Sequence, residues 1–272
     1  MNFEVNLNCR VCNEPNPILK FIYNKKPKLE TNFNLNKEDY YREFYKCKNC
    51  EHMFSIMKMD FENIYTKLYT DSTYGKNIHK KFKEIINLPI HKSDNENRFK
   101  FIKNISENLL KKQNIKILDV GSGLGVFPWR AKKERWDVTA LDPDKNNIKH
   151  IKENINIKTI QGDFLKTIIT EKYDIITFNK VLEHLKNPIE MLIKAKKNLK
   201  KKSFIYVEVP SVVAAKKGKN REEFFIEHFH VFSRKSLQIL SRKCKLNSLN
   251  FKTLIEPSGK YTLRGVLVEE NI

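Results

Sequence analysis

Residues 117–125, which read ILDVGSGLG, restrict the fold of this chain more than any other stretch of the sequence. An aliphatic run that ends near an aspartate is followed by glycines at every second position, Gly121, Gly123 and Gly125. A short apolar run that stops at glycines is typical of a buried strand that turns into a helix. Because glycine has no side chain, a ligand can lie directly against the backbone of such a turn. We therefore predict a ligand-binding turn at the end of a buried strand.

The spacing of these glycines excludes two common nucleotide-binding loops. The dinucleotide-binding fingerprint has a glycine three positions after its second glycine, and that position here is Val126. The phosphate-binding loop of nucleoside triphosphatases ends in Lys followed by Ser or Thr, and this turn contains no such pair. The ligand must therefore be identified from residues further along the chain.

The sequence after residue 113 alternates between strand and helix patterns. We predict strands at residues 115–120, 137–142, 157–163, 173–179, 202–210, 249–257 and 261–270. Aliphatic strands separated by amphipathic helices indicate an α/β fold, with a Rossmann-like, doubly wound and mostly parallel seven-stranded sheet in residues 113–272. Only the short segment PSGK separates the last two strands, so we expect a hairpin and an antiparallel last strand.

Two cysteine pairs mark residues 1–58 as a small separate module. The four residues are Cys9, Cys12, Cys47 and Cys50. Two Cys-x-x-Cys turns can place four thiolates tetrahedrally around Zn²⁺, and four thiolates leave no open position for catalysis. A module of this size needs such an ion to fold, so we predict a zinc-ribbon-like module with a structural zinc rather than a redox pair. We expect His52 on the surface rather than on the metal.

Residues 59–112 are predicted to form a helical connector, because apolar residues recur there at helical spacing. Tyr69 and Tyr74 interrupt this pattern in a polar loop. The loop is either a lid whose tyrosines contact the substrate or an ordinary connection between the two modules.

The charge of the chain is strongly basic, with 52 Lys and Arg against 32 Asp and Glu and a formal net charge of +20. The lysines are spread along the whole chain, which favours a solvated basic surface over a nucleic-acid groove and also suits a phosphorylated small substrate. No apolar run reaches the roughly 18 residues of a membrane span, and the start MNFEVNLNCR lacks an apolar export segment. We expect a cytoplasmic protein without a membrane span.

The acidic residues that end the next strands point to the ligand. Asp142 ends the second strand, where a carboxylate can accept hydrogen bonds from both ribose hydroxyls, and Asp163 ends the third. In order, ILDVGSGLG, a strand ending at Asp142, QGDF and YDIITFNKVLEHL resemble the motif series of the class I S-adenosylmethionine-dependent methyltransferases. The resemblance covers residues 114–210 most closely.

This resemblance implies a cofactor site at the ends of the first four strands. Asp119 and the loop residues Gly121, Ser122, Gly123 and Gly125 would hold the methionine part of S-adenosylmethionine. Asp142 and Pro143 would hold its ribose, Asp163 and Phe164 its adenine, and Asn179 would lie beside the reactive centre. The alternatives are that Asp119 only ties the amides of the loop together and that Phe164 belongs to the core.

Two histidines stand where a methyl acceptor would need a base. His184 follows the fourth strand, and His228 lies in FFIEHFHVFS between the fifth strand and the next helix. Histidine can take a proton near pH 7, and Glu227 can orient its neighbour His228. The alternative for His184 is a hydrogen bond to a nearby loop, and His230 is expected to pack against or cap the following helix.

The cysteine module, together with Glu227 and His228 followed by FHVFS, also resembles the zinc-containing sugar C-methyltransferases, which act on nucleotide-linked deoxysugars. The resemblance implies His228 as the base, His184 as an active-site group, and a nucleotide-linked sugar or other phosphorylated precursor of a bacterial surface glycan as the substrate. The competing hypothesis is an RNA or ribosome methyltransferase that uses its zinc module and basic surface to hold the backbone. Against it, Asn179 is followed by Lys-Val-Leu and not by the prolines with which base-amine methyltransferases hold a flipped base.

Overall fold

The computed structural model of the protein describes residues 7–33, 35, 40–57 and 77–270. Tyr69 and Tyr74, the predicted substrate contacts, lie outside these residues, as does the first part of the predicted helical connector, residues 59–76. Among the helices of the described ranges, none is long and apolar enough to cross a lipid bilayer.

Strands and helices follow one another along the described chain largely as predicted. The strands are β1 (Ile18–Tyr23), β2 (Arg42–Lys46), β3 (Met53–Met57), β4 (Lys116–Val120), β5 (Asp137–Asp142), β6 (Lys158–Gln161), β7 (Tyr173–Asn179), β8 (Leu199–Pro210), β9 (His230–Val231), β10 (Leu246–Ile255) and β11 (Tyr261–Glu269). The α-helices are α1 (Ile78–Ile86), α2 (Asp94–Leu109), α3 (Val126–Lys133), α4 (Lys145–Asn154), α5 (Pro188–Lys197) and α6 (Arg234–Lys243).

The larger sheet has seven strands in the order β10-β11-β8-β7-β4-β5-β6. Strands β4 to β8 pair in parallel, whereas β11 runs antiparallel to both β8 and β10. The prediction of a mostly parallel seven-stranded sheet with an antiparallel last strand is therefore confirmed. From β4 the chain continues to β5 and β6 on one side of the sheet, whereas from β7 it continues to β8 on the other side. The order of the strands therefore reverses between β4 and β7. Ligands of such sheets bind at the carboxyl ends of the strands at this switch point.

Both faces of this sheet are buried, because successive side chains of a strand point to opposite faces. Ile117 of β4 packs with Phe99 of α2 and Phe127 of α3 in one apolar cluster, whereas the next residue, Leu118, belongs to a cluster that contains Leu192 of α5. Each such fully buried side chain contributes about 1.5–3 kcal/mol to stability. Helices therefore cover both faces, and the ends of the strands remain to form a site.

The smaller sheet combines the N-terminal strands with one strand from far along the chain. It is antiparallel, in the order β1-β2-β3-β9, and β9 consists of His230 and Val231. Phe54 of β3 pairs with His230, and the backbone N–H of Ser55 donates to the carbonyl oxygen of Phe229 at 3.0 Å. The segment around His228 is therefore built directly into the sheet of the cysteine-containing module.

Candidate functional site

The glycine turn at the end of β4 has a bare and open backbone. Gly125 caps the start of α3 with a φ of +72°, and a Cβ atom there would lie 2.5 Å from Cδ1 of Ile155. Gly123 also has a positive φ, of +50°, but among the described residues other than its chain neighbours no atom lies within 4 Å of the position that its Cβ would take. A larger residue at Gly125 would thus collide with α4, whereas Gly123 faces open space that a ligand can fill.

Asp142, at the end of β5, is tied to this turn. Its Oδ2 accepts a hydrogen bond from the backbone N–H of Gly123 at 2.8 Å, and its Oδ1 accepts from the backbone N–H of Asp144 at 2.9 Å and from Asn147 at 3.1 Å. Burial raises the pKa of this carboxyl group, and the three hydrogen bonds oppose that shift. A carboxylate has about four acceptor sites, so about one site of Asp142 remains for a ribose hydroxyl.

Asp119, in β4, lies beside the end of β7. Its Oδ1 accepts from the hydroxyl of Thr177 at 2.5 Å and from Nδ2 of Asn179 at 2.7 Å. Burial raises the pKa of Asp119 to about 6. Within the described residues, Oδ1 of Asn179 is buried without a hydrogen-bond partner. Buried acceptors are seldom left unpaired, so this atom and the open turn fit a ligand that brings its own N–H or O–H groups.

The other predicted cofactor residues lie around the same edge of the sheet. Asp163 is exposed and accepts from the backbone N–H of Leu165 at 2.8 Å, and Pro143 is exposed next to Asp142. The Ser122 hydroxyl donates to the carbonyl oxygen of Asp119 at 2.9 Å. Phe164 is only 2% exposed and packs in the core, with its ring centroid 5.8 Å from that of Phe178. Asp163 is therefore open to a ligand, whereas Phe164 has the core contacts of the alternative interpretation.

His184 and His228 face each other, with ring centroids 4.9 Å apart. Nδ1–H of His184 donates to the carbonyl oxygen of Glu227 at 2.8 Å, and Nδ1–H of His228 donates to the carbonyl oxygen of Glu223 at 3.0 Å. Burial lowers the pKa of His184 to about 4 and that of His228 well below its usual value, so both rings are neutral near pH 7. The group that orients His228 is thus a backbone carbonyl and not the Glu227 carboxylate that the sequence suggested.

Glu183 is a residue of this cluster that the sequence reasoning missed. It is fully buried, and neither of its carboxylate oxygens has a hydrogen-bond partner within the described residues. One of these oxygens and ring nitrogens of His184 and His228 lie within 4.8 Å of one another. Burial raises the pKa of Glu183 to about 8 and that of Glu227 to about 7. The only sequence signal for Glu183 was its position directly before His184.

The four cysteines meet in the N-terminal module. Sγ of Cys9 lies 3.5 Å from Sγ of Cys50, and Sγ of Cys12 lies 3.5 Å from Sγ of Cys47. All four sulfurs are within 4.8 Å of one another. These separations are too long for a disulfide, whose S–S bond is about 2.05 Å. They suit a tetrahedral ion with Zn–S bonds of about 2.3 Å, which places the sulfurs about 3.8 Å apart.

His52, which we expected on the surface, is fully buried, so that expectation is wrong. Its Nε2 lies 2.9 Å from Nδ1 of His230, a hydrogen bond in which either ring can donate. His230 is therefore buried against His52, and the cap of α6 is the Ser233 side chain. His52 and His230 are far apart in the sequence, so no local sequence pattern could have predicted their hydrogen bond.

Comparison with known proteins identifies the family. The methyltransferase domain family matches residues 94–244, which is more than half of the chain. A ubiquinone biosynthesis O-methyltransferase of Rickettsia bellii is 28% identical over 99 residues, which cover 35% of this chain and 41% of that protein. The chain thus matches less than half of the length of this relative.

Solved structures of methyltransferases have the same fold. The magnesium protoporphyrin IX methyltransferase of Synechocystis PCC 6803, with bound SAH, has a TM-score of 0.58 and 10% identity, with 77% of this chain and 100% of that chain covered. The 1,6-didemethyltoxoflavin-N1-methyltransferase of Burkholderia thailandensis has a TM-score of 0.56 and 11% identity, with 85% of this chain and 96% of that chain covered. Since the family model matches more than half of the chain, the chain belongs to the methyltransferase domain family.

Proposed function

We propose that the chain is an S-adenosylmethionine-dependent methyltransferase, that it acts on a small polar acceptor and that His228 removes the proton from the acceptor atom. The observation that carries the proposal is the facing pair of imidazole rings, 4.9 Å apart, of His184 and His228. Because Nδ1–H of His228 is held by the carbonyl oxygen of Glu223, its Nε2 keeps the lone pair that accepts a proton.

The cofactor would lie across the carboxyl ends of β4 to β7. The Asp119 carboxylate and Oδ1 of Asn179 would hold the amino group of the methionine part, Asp142 the ribose and Asp163 the adenine. The Gly123 backbone would approach the ligand closely. When bound, S-adenosylmethionine supplies a methyl group on a positively charged sulfur that is already the leaving group. The protein therefore has to align the acceptor and exclude water rather than activate the methyl donor.

The histidine pair suits an acceptor that must lose a proton, such as a hydroxyl or an acidic C–H group. The proton moves from the acceptor atom to Nε2 of His228, which is neutral near pH 7 because burial lowers its pKa. The resulting imidazolium would lie beside Glu183, and its positive charge would lower the pKa of that carboxyl group, which burial raises to about 8. An ionised Glu183 would favour the charged form of the base, whereas His184 lowers the pKa of His228 and so favours its neutral form.

We further propose a nucleotide-linked sugar, or another phosphorylated precursor of a surface glycan, as the acceptor. Support comes from the resemblance of Glu227, His228 and the cysteine module to the sugar C-methyltransferases, and from a formal net charge of +20. The curated relative is named an O-methyltransferase, so oxygen and carbon are the two acceptor atoms to compare. Both atoms need the proton removal that His228 would supply.

We also propose that the N-terminal cysteines hold a structural Zn²⁺ and that residues 1–58, 59–112 and 113–272 act as zinc module, connector and catalytic domain. The sulfur separations and the burial of Cys9, Cys47 and Cys50 support the metal. The backbone N–H of Val11 donates to Sγ of Cys9 at 3.5 Å, and the backbone N–H of Cys50 donates to Sγ of Cys47 at 3.4 Å. These hydrogen bonds favour the thiolate form of Cys9 and Cys47.

Label transfer tests the acceptor class. The full chain would be incubated with S-adenosylmethionine labelled in its methyl group and, separately, with a panel of nucleotide-linked sugars, quinol precursors and total RNA. We expect label in the sugar nucleotides and loss of that label in the His228→Ala variant. Label that enters only RNA, or that is unaffected by His228→Ala, would contradict the proposal.

A further inference from the structure

A buried ion pair joins two parts of the N-terminal module. Nη2 of Arg42 lies 2.7 Å from Oε2 of Glu30, and the side chains are 1% and 0% exposed. The guanidinium carbon of Arg42 also lies 3.9 Å from the ring centroid of Tyr23, and the Tyr40 hydroxyl donates to Glu30. Desolvation cancels most of the attraction within a buried pair, so stability alone is a weak reason for its presence.

Both members of this pair form hydrogen bonds with the backbone of the segment that leads to His228. Nη1 of Arg42 donates to the carbonyl oxygen of Phe224, and the backbone N–H of Ile226 donates to Oε2 of Glu30 at 2.7 Å. These two peptide groups stand on either side of Phe225. The pair therefore fixes the backbone path immediately before Glu227 and His228.

The orientation of both histidine rings depends on backbone carbonyl groups directly before and directly after residues 224–226. Nδ1–H of His228 donates to the carbonyl oxygen of Glu223, the residue directly before Phe224. Nδ1–H of His184 donates to the carbonyl oxygen of Glu227, the residue directly after Ile226. A rotation of the peptide groups at 224–226 would displace both acceptors together.

Other contacts also hold the segment. The Phe224 ring packs against the rings of Phe21 and Phe44, with centroids 5.0 and 5.3 Å away, and the backbone N–H of Tyr261 donates to Oε1 of Glu223 at 2.6 Å. The Tyr23 hydroxyl donates to the carbonyl oxygen of Lys219 at 2.6 Å, and Ser55 donates to Phe229 as part of the contact between β3 and β9. Glu30 and Arg42 add hydrogen bonds from the N-terminal module to the backbone between Phe224 and Ile226, which the ring contacts do not fix.

We propose that Glu30 and Arg42 are positioning residues, which set the tautomer and direction of His228 from the neighbouring module. This inference rests on the proposed role of His228 as the base. Neither residue touches the reacting atoms. Through them, the metal-binding module would be part of the catalytic apparatus rather than an independent appendage.

The test compares Glu30→Gln and Arg42→Lys with the control Lys46→Gln, which disrupts an exposed ion pair with Glu51 in the same sheet. Long-range proton–nitrogen NMR spectra of the histidine side chains report the tautomer of His228 without any turnover. We expect one tautomer, with the proton on Nδ1, in the wild type and in the control, and a mixture of tautomers in the two variants. Affinity for S-adenosylhomocysteine should be the same in all four proteins.

On the acceptor identified by label transfer, the two variants should lose about 10- to 100-fold in kcat with little change in KM, the size expected when a base is misplaced by about 1 Å. Unchanged NMR spectra and kcat would overturn the inference. If the wild type methylates no sugar nucleotide, the proposed acceptor class fails, and the NMR result still decides whether the pair orients His228.

A second variant covers the case in which a single substitution unfolds the protein by leaving one buried charge unpaired. The double variant Glu30→Gln with Arg42→Met removes both charges together, which commonly leaves stability near that of the wild type. We expect it to bind S-adenosylhomocysteine normally but to show mixed His228 tautomers and reduced kcat. A double variant with the wild-type tautomer and rate would limit the pair to a stabilising role and refute the inference.

Discussion

Nδ1–H of His184 donates to the backbone carbonyl oxygen of Glu227 at 2.8 Å, which links the end of β7 to the segment that precedes β9. The reverse link also exists, because the backbone N–H of Phe229 donates to the carbonyl oxygen of Glu183 at 2.8 Å. The two histidine-bearing segments therefore hold each other in place. Since β9 belongs to the N-terminal sheet, this relationship joins the methyltransferase domain to the cysteine module.

Replacement of His228 by Ala should slow methyl transfer by about 10²-fold or more, because a general base contributes that much to a rate. Affinity for S-adenosylhomocysteine should stay unchanged, since His228 lies on the acceptor side of the proposed site. Steady-state kinetics and calorimetry measure the two quantities. The matched control is His91→Ala at an exposed histidine, and equal turnover in both variants would remove the base role from His228.

Replacement of Asp142 by Ala should abolish cofactor binding. The substitution removes the proposed ribose acceptor and the 2.8 Å hydrogen bond that holds the backbone N–H of Gly123. Asp137→Ala, at the exposed start of the same strand, is the control and should bind the cofactor normally. Calorimetric titration with S-adenosylhomocysteine gives both affinities, and normal binding by Asp142→Ala would exclude the proposed ribose contact.

Affinity for S-adenosylhomocysteine should fall as the pH falls through about 6, the pKa to which burial raises Asp119. The ionised carboxylate attracts the amino group of the ligand and the protonated form does not, so Kd should rise by at most about tenfold per pH unit below that value. Asp119→Asn should bind weakly, with a Kd that varies little with pH over the same interval. A wild-type Kd that is constant between about pH 5 and pH 8 would argue against this contact.

Chelation of the metal, or Cys12→Ser, should unfold the N-terminal module while the cofactor site persists. Metal binding supplies much of the folding free energy of such small sites. Elemental analysis should find one Zn²⁺ per chain in the wild type and in the control Cys244→Ala, and less in Cys12→Ser. Cys244 is buried beside α6, away from the other four cysteines. Full zinc content in Cys12→Ser would disprove this metal site.

The larger sheet was predictable because its signals are local. β4 and β7 are short strands rich in aliphatic residues, which neighbouring residues alone reveal. Only the short segment PSGK separates β10 from β11, so their antiparallel pairing also follows from the local sequence. The structure starts β8 at Leu199 and β10 at Leu246, each three residues earlier than predicted. Differences of this size are usual at element ends.

The contacts between distant segments were not predictable. β9 has two residues, too few for an alternating pattern, and its partner Phe54 lies far away in the sequence. For the same reason His52 was misassigned to the surface. The Glu30–Arg42 pair and the orienting carbonyl of Glu223 depend on how the chain returns to the N-terminal sheet, and backbone carbonyls carry no residue signature.

Calorimetric titration of the full chain with S-adenosylhomocysteine tests the cofactor site at the 121–125 turn most directly. We predict binding of one ligand per chain in the wild type, with no detectable binding in Asp142→Ala. A folded wild-type protein that releases no heat with this ligand or with S-adenosylmethionine, but binds a nicotinamide or flavin nucleotide instead, would contradict the assignment of the site.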